Sequence, residues 1–366
     1  MTRGLRILVM TTDAFGGRGG IAQYNQHLLK SLDDDTRVGS LVVLPRRIED
    51  PPESLPEKVE FVAASSGGLA RYALEAGRRL AKRDSFDLVV CGHLNLLPLA
   101  TLAALRFGAR LILVVYGIEV WQPPARKLNG WLLRYVDALA SISATTRDRM
   151  LAWYPGSPPP VFLLPNAYDP RAFAPGPKPA SLVERHGLQG RRNLLIFGRM
   201  SSLEGRKGFD EVLEATPDLL ARIPDLAVIL AGDGDDRPRL EQKAAALGIA
   251  GRVVFTGFVP EGEKADLYRL SDVCILPSRQ EGFGFVLLEA MACGVPSIGS
   301  LADGSREAVL EGRIGLLVDP ASREDMVKVV CEAMTRPRGI PDGLAYFTLA
   351  RFQDRVSEML TRLIAR

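Results

Sequence analysis

Two glutamates, Glu281 and Glu289, bracket the stretch EGFGFVLLE, with Gly282, Phe283 and Gly284 directly after the first. Upstream, GRMSSLEGRKGFDEVLEA carries Arg199 just past an apolar run and Lys207 at the start of a helical pattern. Cations at a strand's carboxyl end and a helix N-terminus run against the helix-dipole preference. They make sense there if a doubly charged group lies between them. Arginine and lysine can neutralise a diphosphate, bound or departing, without a metal. Carboxylates accept well from paired hydroxyls. At ~1.5 Å rise per helical residue the two acids stand roughly 10 Å apart, about the reach from a sugar to a ribose across a diphosphate. Glycines at the helix start free backbone N–H groups to point at an anion. The competing reading is a helix-start charge, a chance surface acid and two surface cations near a turn.

A second glycine cluster follows the first apolar run. In TTDAFGGRGGIAQYNQHLL, Gly16, Gly17, Gly19 and Gly20 separate a strand end from a helix start. Such a loop lets backbone N–H groups and the helix dipole approach an anion. It is not the dinucleotide fingerprint, and it lacks the Lys-Ser/Thr of a P-loop. Tight strand-helix turns use glycine for conformational reasons too, so phosphate contact and plain turn geometry both remain open.

The elements that must position these residues alternate along the chain. LRILVM, RVGSLVVL, FDLVV and RLILVV in the first half, and NLLIF, LAVILAG, RVVFTG and DVCILP in the second, predict buried parallel strands. Between them IAQYNQHLLKSL, KGFDEVLEATPDLLARI and RPRLEQKAAALG predict amphipathic helices. The class is α/β, with two Rossmann-like domains whose parallel sheets present their carboxyl ends to an interdomain cleft. The proline-rich run from Pro165 to about Ala180 is the linker candidate. The expected division is 1–168, 169–345 and a C-terminal helix, 346–366, packing back on the N-terminal domain. At 366 residues, two domains suit the length.

With 47% apolar and 24% charged residues the chain has an ordinary globular composition, and a net charge of +3 argues against a nucleic-acid partner. Arg71, Arg78, Arg79, Lys82 and Arg83 form a basic run, either a solvated helix face or a peripheral membrane contact. Cys91, Cys274, Cys293 and Cys331 lack metal-ligand spacing; Cys91 and Cys274 end strand-like runs and are expected to be buried thiols. With no signal-peptide pattern and no run of ~18 apolar residues, the expected location is cytoplasmic, with docking at the inner membrane face open.

EGFGFVLLEAMACGVPSI resembles the E-x7-E signature of retaining glycosyltransferases of family 4, which have the GT-B fold. GGRGGIAQYNQHLL, GRMSSLEGRKGFDEVLEA, LPNAYD, AGDGDD, FTGFV and DVCILPS are similar to other landmarks of that family across nearly the whole chain. The resemblance implies a nucleotide-diphosphate sugar as donor, UDP- or GDP-linked, bound mainly by the second domain, and a hydroxyl-bearing acceptor entering from the first. It implies Arg199 and Lys207 on the diphosphate, Glu289 on the ribose, and Glu281 with the backbone of Gly282, Phe283 and Gly284 on the donor sugar. Gly19 and Gly20 would close over the phosphates, and Phe258 and Val259 would line the base pocket unless they are core residues. Where many relatives carry histidine-glycine, VVYGIEVW has Tyr116, which is no base at neutral pH. Glu119 and His93 are further acceptor-side candidates; His93 also reads as structural.

The reaction implied is transfer with retention by front-face substitution, the departing phosphate oxygen assisting deprotonation of the acceptor. No metal is expected, since Asp233 and Asp235 of AGDGDD read as a turn. The alternatives are a nucleotide-sugar epimerase of the same fold, a phosphorylase, or a non-catalytic nucleotide-sugar-binding protein. A polysaccharide, a lipid-linked saccharide and a small metabolite are all open as acceptors.

Overall fold

The computed structural model describes residues 3–52, 54–202 and 207–365. Contacts divide the chain into two units, Met1–Ala167 with Leu349–Arg366, and Tyr168–Thr348. Each is built on one parallel sheet.

In the first unit the strands are β1 (Leu5–Thr11), β2 (Val38–Pro45), β3 (Val59–Phe61), β4 (Leu88–Cys91), β5 (Arg110–Val115), β6 (Ala138–Ser141) and β7 (Val161–Leu163), in the order β3-β2-β1-β4-β5-β6-β7. Chain order reverses between β1 and β4, a switch point where the loops leaving the two strands diverge to opposite faces. Both faces of the central strands are covered, so Ile7, Val89, Leu111 and Leu113 are all buried. That is why these strands read as continuous apolar runs rather than alternating ones.

The second unit carries β8 (Arg192–Phe197), β9 (Leu226–Ala231), β10 (Val253–Phe255), β11 (Val273–Ile275), β12 (Ser297–Ser300) and β13 (Leu316–Val318), ordered β10-β9-β8-β11-β12-β13. Its switch point lies between β8 and β11. Sequence reading did not single out β3, β6, β7, β12 or β13. Three of these have only three residues, while β6 (ALAS) and β12 (SIGS) are rich in small residues and are strands because they pair with neighbours.

The C-terminal helix Leu349–Ile364 belongs to the first unit, where Phe352 packs edge-on against Tyr24 at 5.4 Å. Arg37, at the foot of β2, donates to the Ser357 carbonyl and hydroxyl, each at 2.8 Å, and to Thr361 Oγ1 at 2.6 Å.

The basic run is not one exposed face. The helix Leu69–Ala81 ends before Lys82, and Arg79 turns inward, 8% exposed, to pair with Glu60 and Asp84. Arg71, Arg78, Lys82 and Arg83 stay exposed, Arg78 paired with Glu75. The i, i+4, i+7 spacing that buries Tyr72 and Ala76 also carries Arg79 towards the sheet. Cys91 and Cys274 are fully buried, and burial pushes the Cys91 thiol up to about 12. Among the described residues no helix is long and apolar enough to cross a membrane.

Candidate active site

β8 and β11 lie side by side at the switch point of the second unit, with Leu194 opposite Val273 and Leu195 opposite Cys274. The chain leaving β8 runs through Gly198 to an exposed Arg199; the chain leaving β11 runs through Pro277 to Glu281. Lys207 then comes in just ahead of the helix Phe209–Arg222, whose N-cap is Gly208. Gly208 has φ +92°, and a Cβ there would stand 2.5 Å from Pro277 Cγ and 2.6 Å from its carbonyl oxygen. Only glycine lets the helix start press so closely on the β11 loop. The result is that Lys207 Nζ lies 2.5 Å from Glu281 Oε2. The lysine stem also crosses Gly198, with Cδ 3.9 Å from where a Cβ would project, next to Arg199. Lys207 and Glu281 thus meet from two loops, with Arg199 following Gly198 on the same loop as the lysine. Leu203, Glu204, Gly205 and Arg206, quoted in the cationic segment, lie outside the described residues.

Asp303, which the sequence reading missed, pins the Glu281 loop. Its buried carboxylate accepts from Ser278 Oγ at 2.6 Å, Glu281 N at 2.7 Å, Ser305 Oγ at 2.7 Å and Ser305 N at 3.0 Å. Gly304 N returns a bond to the Glu281 carbonyl at 2.9 Å. Burial raises the Asp303 pKa, opposed by the donors around it. The only sequence signal was an acid beside glycine and serine in ADGSRE, a common turn composition.

Gly284, at φ +95°, caps the short helix Phe285–Ala292, and a Cβ there would come 2.9 Å from Leu276 Cδ2. Phe283 is 1% exposed and packs edge-on against Phe347 at 5.4 Å, so its side chain is core and only its backbone can face a ligand. Glu289 is buried, and Tyr268 donates its hydroxyl to Glu289 Oε2 at 2.6 Å. Burial works against the nearby Lys264 ammonium, but the charges of Glu289 and Glu261 outweigh it and raise its pKa. Tyr268 and Lys264 were invisible as partners because they lie on a separate helix, Lys264–Leu270. Phe258 and Val259 part company: Phe258 is 59% exposed, which excludes a core role, whereas Val259 is buried. Asp235 is tied to Ser202 N at 3.1 Å, and Asp233 accepts from Gly234 N at 3.0 Å.

In the first unit Gly19, at φ +87°, is the N-cap of the helix Gly20–Asp34 and is exposed. Tyr116 is only 6% exposed, and its hydroxyl donates to Asn25 Oδ1 at 2.7 Å. Asn25 in turn donates to Thr11 Oγ1 at 2.8 Å and the Asp13 carbonyl at 2.7 Å. The tyrosine named as an acceptor-side candidate is thereby tied, through Asn25, to the start of the glycine loop at Asp13. Glu119 accepts from Tyr116 N at 2.6 Å, with burial raising its pKa. His93 Nδ1 accepts from Asn95 N at 3.0 Å, which places the proton of the neutral ring on Nε2. Burial, with Arg46 and Arg47 nearby, lowers the His93 pKa to about 4.

The two units match two family profiles, "Glycosyl transferase 4-like domain" over residues 19–167 and "Glycosyl transferases group 1" over residues 182–341. The chain is 35% identical over 255 residues to the GDP-mannose-dependent alpha-(1-6)-phosphatidylinositol monomannoside mannosyltransferase of Mycolicibacterium smegmatis, covering 66% of each protein. It is 30% identical to the protein of that name from Mycobacterium tuberculosis, covering 73% of this chain and 72% of the relative. Against D-inositol 3-phosphate glycosyltransferase of Stackebrandtia nassauensis it is 33% identical, covering 60% of this chain and about half, 52%, of that one. Sucrose-phosphate synthase from Thermosynechococcus elongatus shares the fold with a TM-score of 0.78 at 19% identity, over 99% of both chains. HepE of Anabaena, solved with UDP and glucose, has a TM-score of 0.76 at 20% identity, over 98% of this chain and 100% of its own. With both units matched and the fold shared end to end, the chain belongs to the group 1 glycosyltransferases, family GT4, which transfer sugars from nucleotide sugars on the GT-B fold.

Proposed function

We propose that the chain moves a hexosyl residue, mannose in the first instance, from GDP-mannose to a hydroxyl of an inositol- or sugar-containing acceptor, with retention of configuration. The observation that carries this reading is the Lys207–Glu281 pair beside Arg199 at the β8/β11 switch point. A cation already held against a carboxylate can exchange that partner for a diphosphate, leaving the carboxylate to accept sugar hydroxyls. Arg199 and Lys207 then stabilise charge developing on the departing diphosphate. The leaving phosphate oxygen takes the acceptor proton, so the protein contributes positioning and charge rather than a base. The guanosine and mannose preferences rest on the printed specificities of the mannosyltransferase relatives. Glu289, held by Tyr268, takes the ribose, and Phe258 and Val259 border the base.

A lipid-borne acceptor fits the exposed Leu69 and Leu74 next to Arg71 and Arg78 on one helix, a composition suited to an anionic bilayer surface at the cytoplasmic face. The deciding experiment is titration calorimetry with GDP-mannose, UDP-glucose and UDP-galactose, followed by transfer assays with whichever binds. GDP-mannose binding with sugar transfer supports the reading. Tight binding of a uridine donor alone replaces the donor, and binding without turnover or hydrolysis replaces the activity.

A further inference from the structure

The first unit has its own switch point, between β1 and β4, and an unexplained concentration of positive charge lies beside it. In the sheet Thr11 pairs with Pro45 and Met10 with Cys91, so the residues that follow emerge side by side. Arg46 N donates to the Thr11 carbonyl at 2.9 Å, Arg47 N to the Thr12 carbonyl at 2.8 Å, and Gly92 N to the Met10 carbonyl at 2.7 Å. Thr12, Arg46, Arg47 and His93 therefore sit together at the carboxyl edge of the sheet.

Among the described residues, neither arginine side chain has an acid partner. The acids nearest along the chain, Glu49 and Asp50, both face Arg18, at 3.5 and 2.7 Å. Arg46 is half-buried, where an uncompensated cation is costly unless an anion arrives. Among the described residues two buried hydroxyls nearby also lack partners: Thr12 Oγ1 and Tyr72 OH. Tyr72 is 0% exposed, within range of the Arg46 charge. A buried hydroxyl without a partner is uncommon in a settled structure, and beside two arginines without acid partners it leaves a donor available to an anion. His93 adds a neutral Nε2–H donor.

We propose that the carboxyl ends of β1, β2 and β4 form a phosphate-binding site for the acceptor, with Arg46 and Arg47 holding the phosphate and Thr12 and His93 Nε2 donating to its oxygens. The acceptor is then an anionic one, a phosphomonoester or phosphodiester whose hydroxyl is glycosylated. This rests on the transferase reading for the ligand's role, but the site is confined to the first unit and can be tested without a donor. Arginine suits the task because its planar fork bonds two phosphate oxygens at once.

The test is calorimetric titration of the full chain with D-inositol 3-phosphate, with unphosphorylated inositol as the neutral control. A parallel arm measures co-sedimentation with vesicles of equal parts phosphatidylinositol and phosphatidylcholine, against phosphatidylcholine alone. GDP titration monitors the second unit throughout. The wild-type chain should bind the phosphate-bearing probe and not inositol. Arg47→Gln should weaken that binding roughly tenfold, and the Arg46→Gln/Arg47→Gln pair further, with GDP affinity unchanged. Arg46→Lys, which keeps the charge, should retain more binding than Arg46→Gln. Binding of the soluble probe identifies a free phosphate as sufficient; response to the phosphatidylinositol vesicles alone identifies a lipid headgroup. Either supports the site. Three results overturn it: unchanged phosphate binding in the variants, inositol binding as tightly as its phosphate, or a chain that binds GDP but neither probe. If the double variant does not fold, Arg47→Gln, at an exposed position, carries the test. A chain that binds the phosphate probe but no nucleotide sugar would sink the transferase reading and leave this site standing.

Discussion

Lys207 Nζ sits 2.5 Å from Glu281 Oε2, although the two residues are 74 positions apart and come off different elements. Both side chains are about three-quarters buried, at 27 and 21% exposure, so water does not fully screen the pair. The cation proposed for the diphosphate is held by the carboxylate proposed for the sugar.

Removing the cation separates its chemical task from its structural one. Lys207→Ala should lower sugar transfer at least about a hundredfold, the usual scale for losing one preorganised charge at a reacting centre. The fold should survive, with stability down by about 1–2 kcal/mol for the largely buried carboxylate left behind. Steady-state transfer and thermal unfolding measure the two. A near-native rate would refute the role given to Lys207.

The converse change should have split effects. Glu281→Gln removes the charge that competes with diphosphate for Lys207, so GDP should bind several-fold more tightly, roughly 1 kcal/mol. Transfer should nonetheless fall, because the amide holds sugar hydroxyls less well than the carboxylate. Calorimetry with GDP beside turnover reads both; weaker GDP binding in this variant would contradict the competition.

Asp303 makes a prediction that a merely buried acid would not. Asp303→Asn keeps the volume but sets an amide against the Ser278, Ser305 and Glu281 donors. Stability should fall by about 1–3 kcal/mol. The KM for the donor should also rise, because the Glu281 backbone loses its anchor. A stability loss with an unchanged donor KM would leave Asp303 structural only.

Gly208→Ala tests the close approach that brings Lys207 in. The methyl group meets Pro277 at 2.5 Å with φ at +92°, so the helix start must move away from the β11 loop. The cost should be about 1–3 kcal/mol, with a loss of GDP affinity alongside. Denaturant unfolding and nucleotide titration check it; unchanged GDP affinity would show that the Lys207 position does not depend on this contact.

The acid limb of stability should report on the first unit. The Arg37 guanidinium beside Asp35 lowers its carboxyl pKa from 3.8 to about 2. A depressed carboxyl stabilises the fold above its unfolded pKa, and that stability is lost as pH falls from about 4 towards 2. It amounts to about 2 kcal/mol at most. Arg37→Ala should remove it together with the bonds to Ser357 and Thr361 on the C-terminal helix. The variant should then show a flatter stability profile between pH 4 and 2, read by denaturant midpoints. An undiminished slope in that window would mean that Asp35 is not the responsible group.

Much of the architecture was legible because a strand buried on both faces must be apolar along its whole length. LRILVM and LAVILAG could hardly be anything else, and their alternation with amphipathic helices leaves few topologies. The glycines before helices, at Gly19 and Gly284, were legible because a positive φ there admits little else. Short strands such as β12 were not, since three or four small residues carry no periodic signal and become strands only by pairing. Arg79 looked like its basic neighbours and yet is buried, because which side of a helix meets the sheet is settled by packing.

By itself the sequence determined the α/β class and the family, and singled out Arg199, Lys207, Glu281 and Glu289 as candidates, because residue type and spacing are local properties. Tertiary structure alone decided which of them meet: that Lys207 pairs with Glu281, that Asp303 holds the Glu281 backbone, that Tyr116 donates to Asn25, and that Arg46 and Arg47 have no acid partner among the described residues. Partners of this kind lie tens of positions apart on separate strand ends. Their distances are set by sheet order and by the close contacts of a few glycines, which no local pattern of residues encodes.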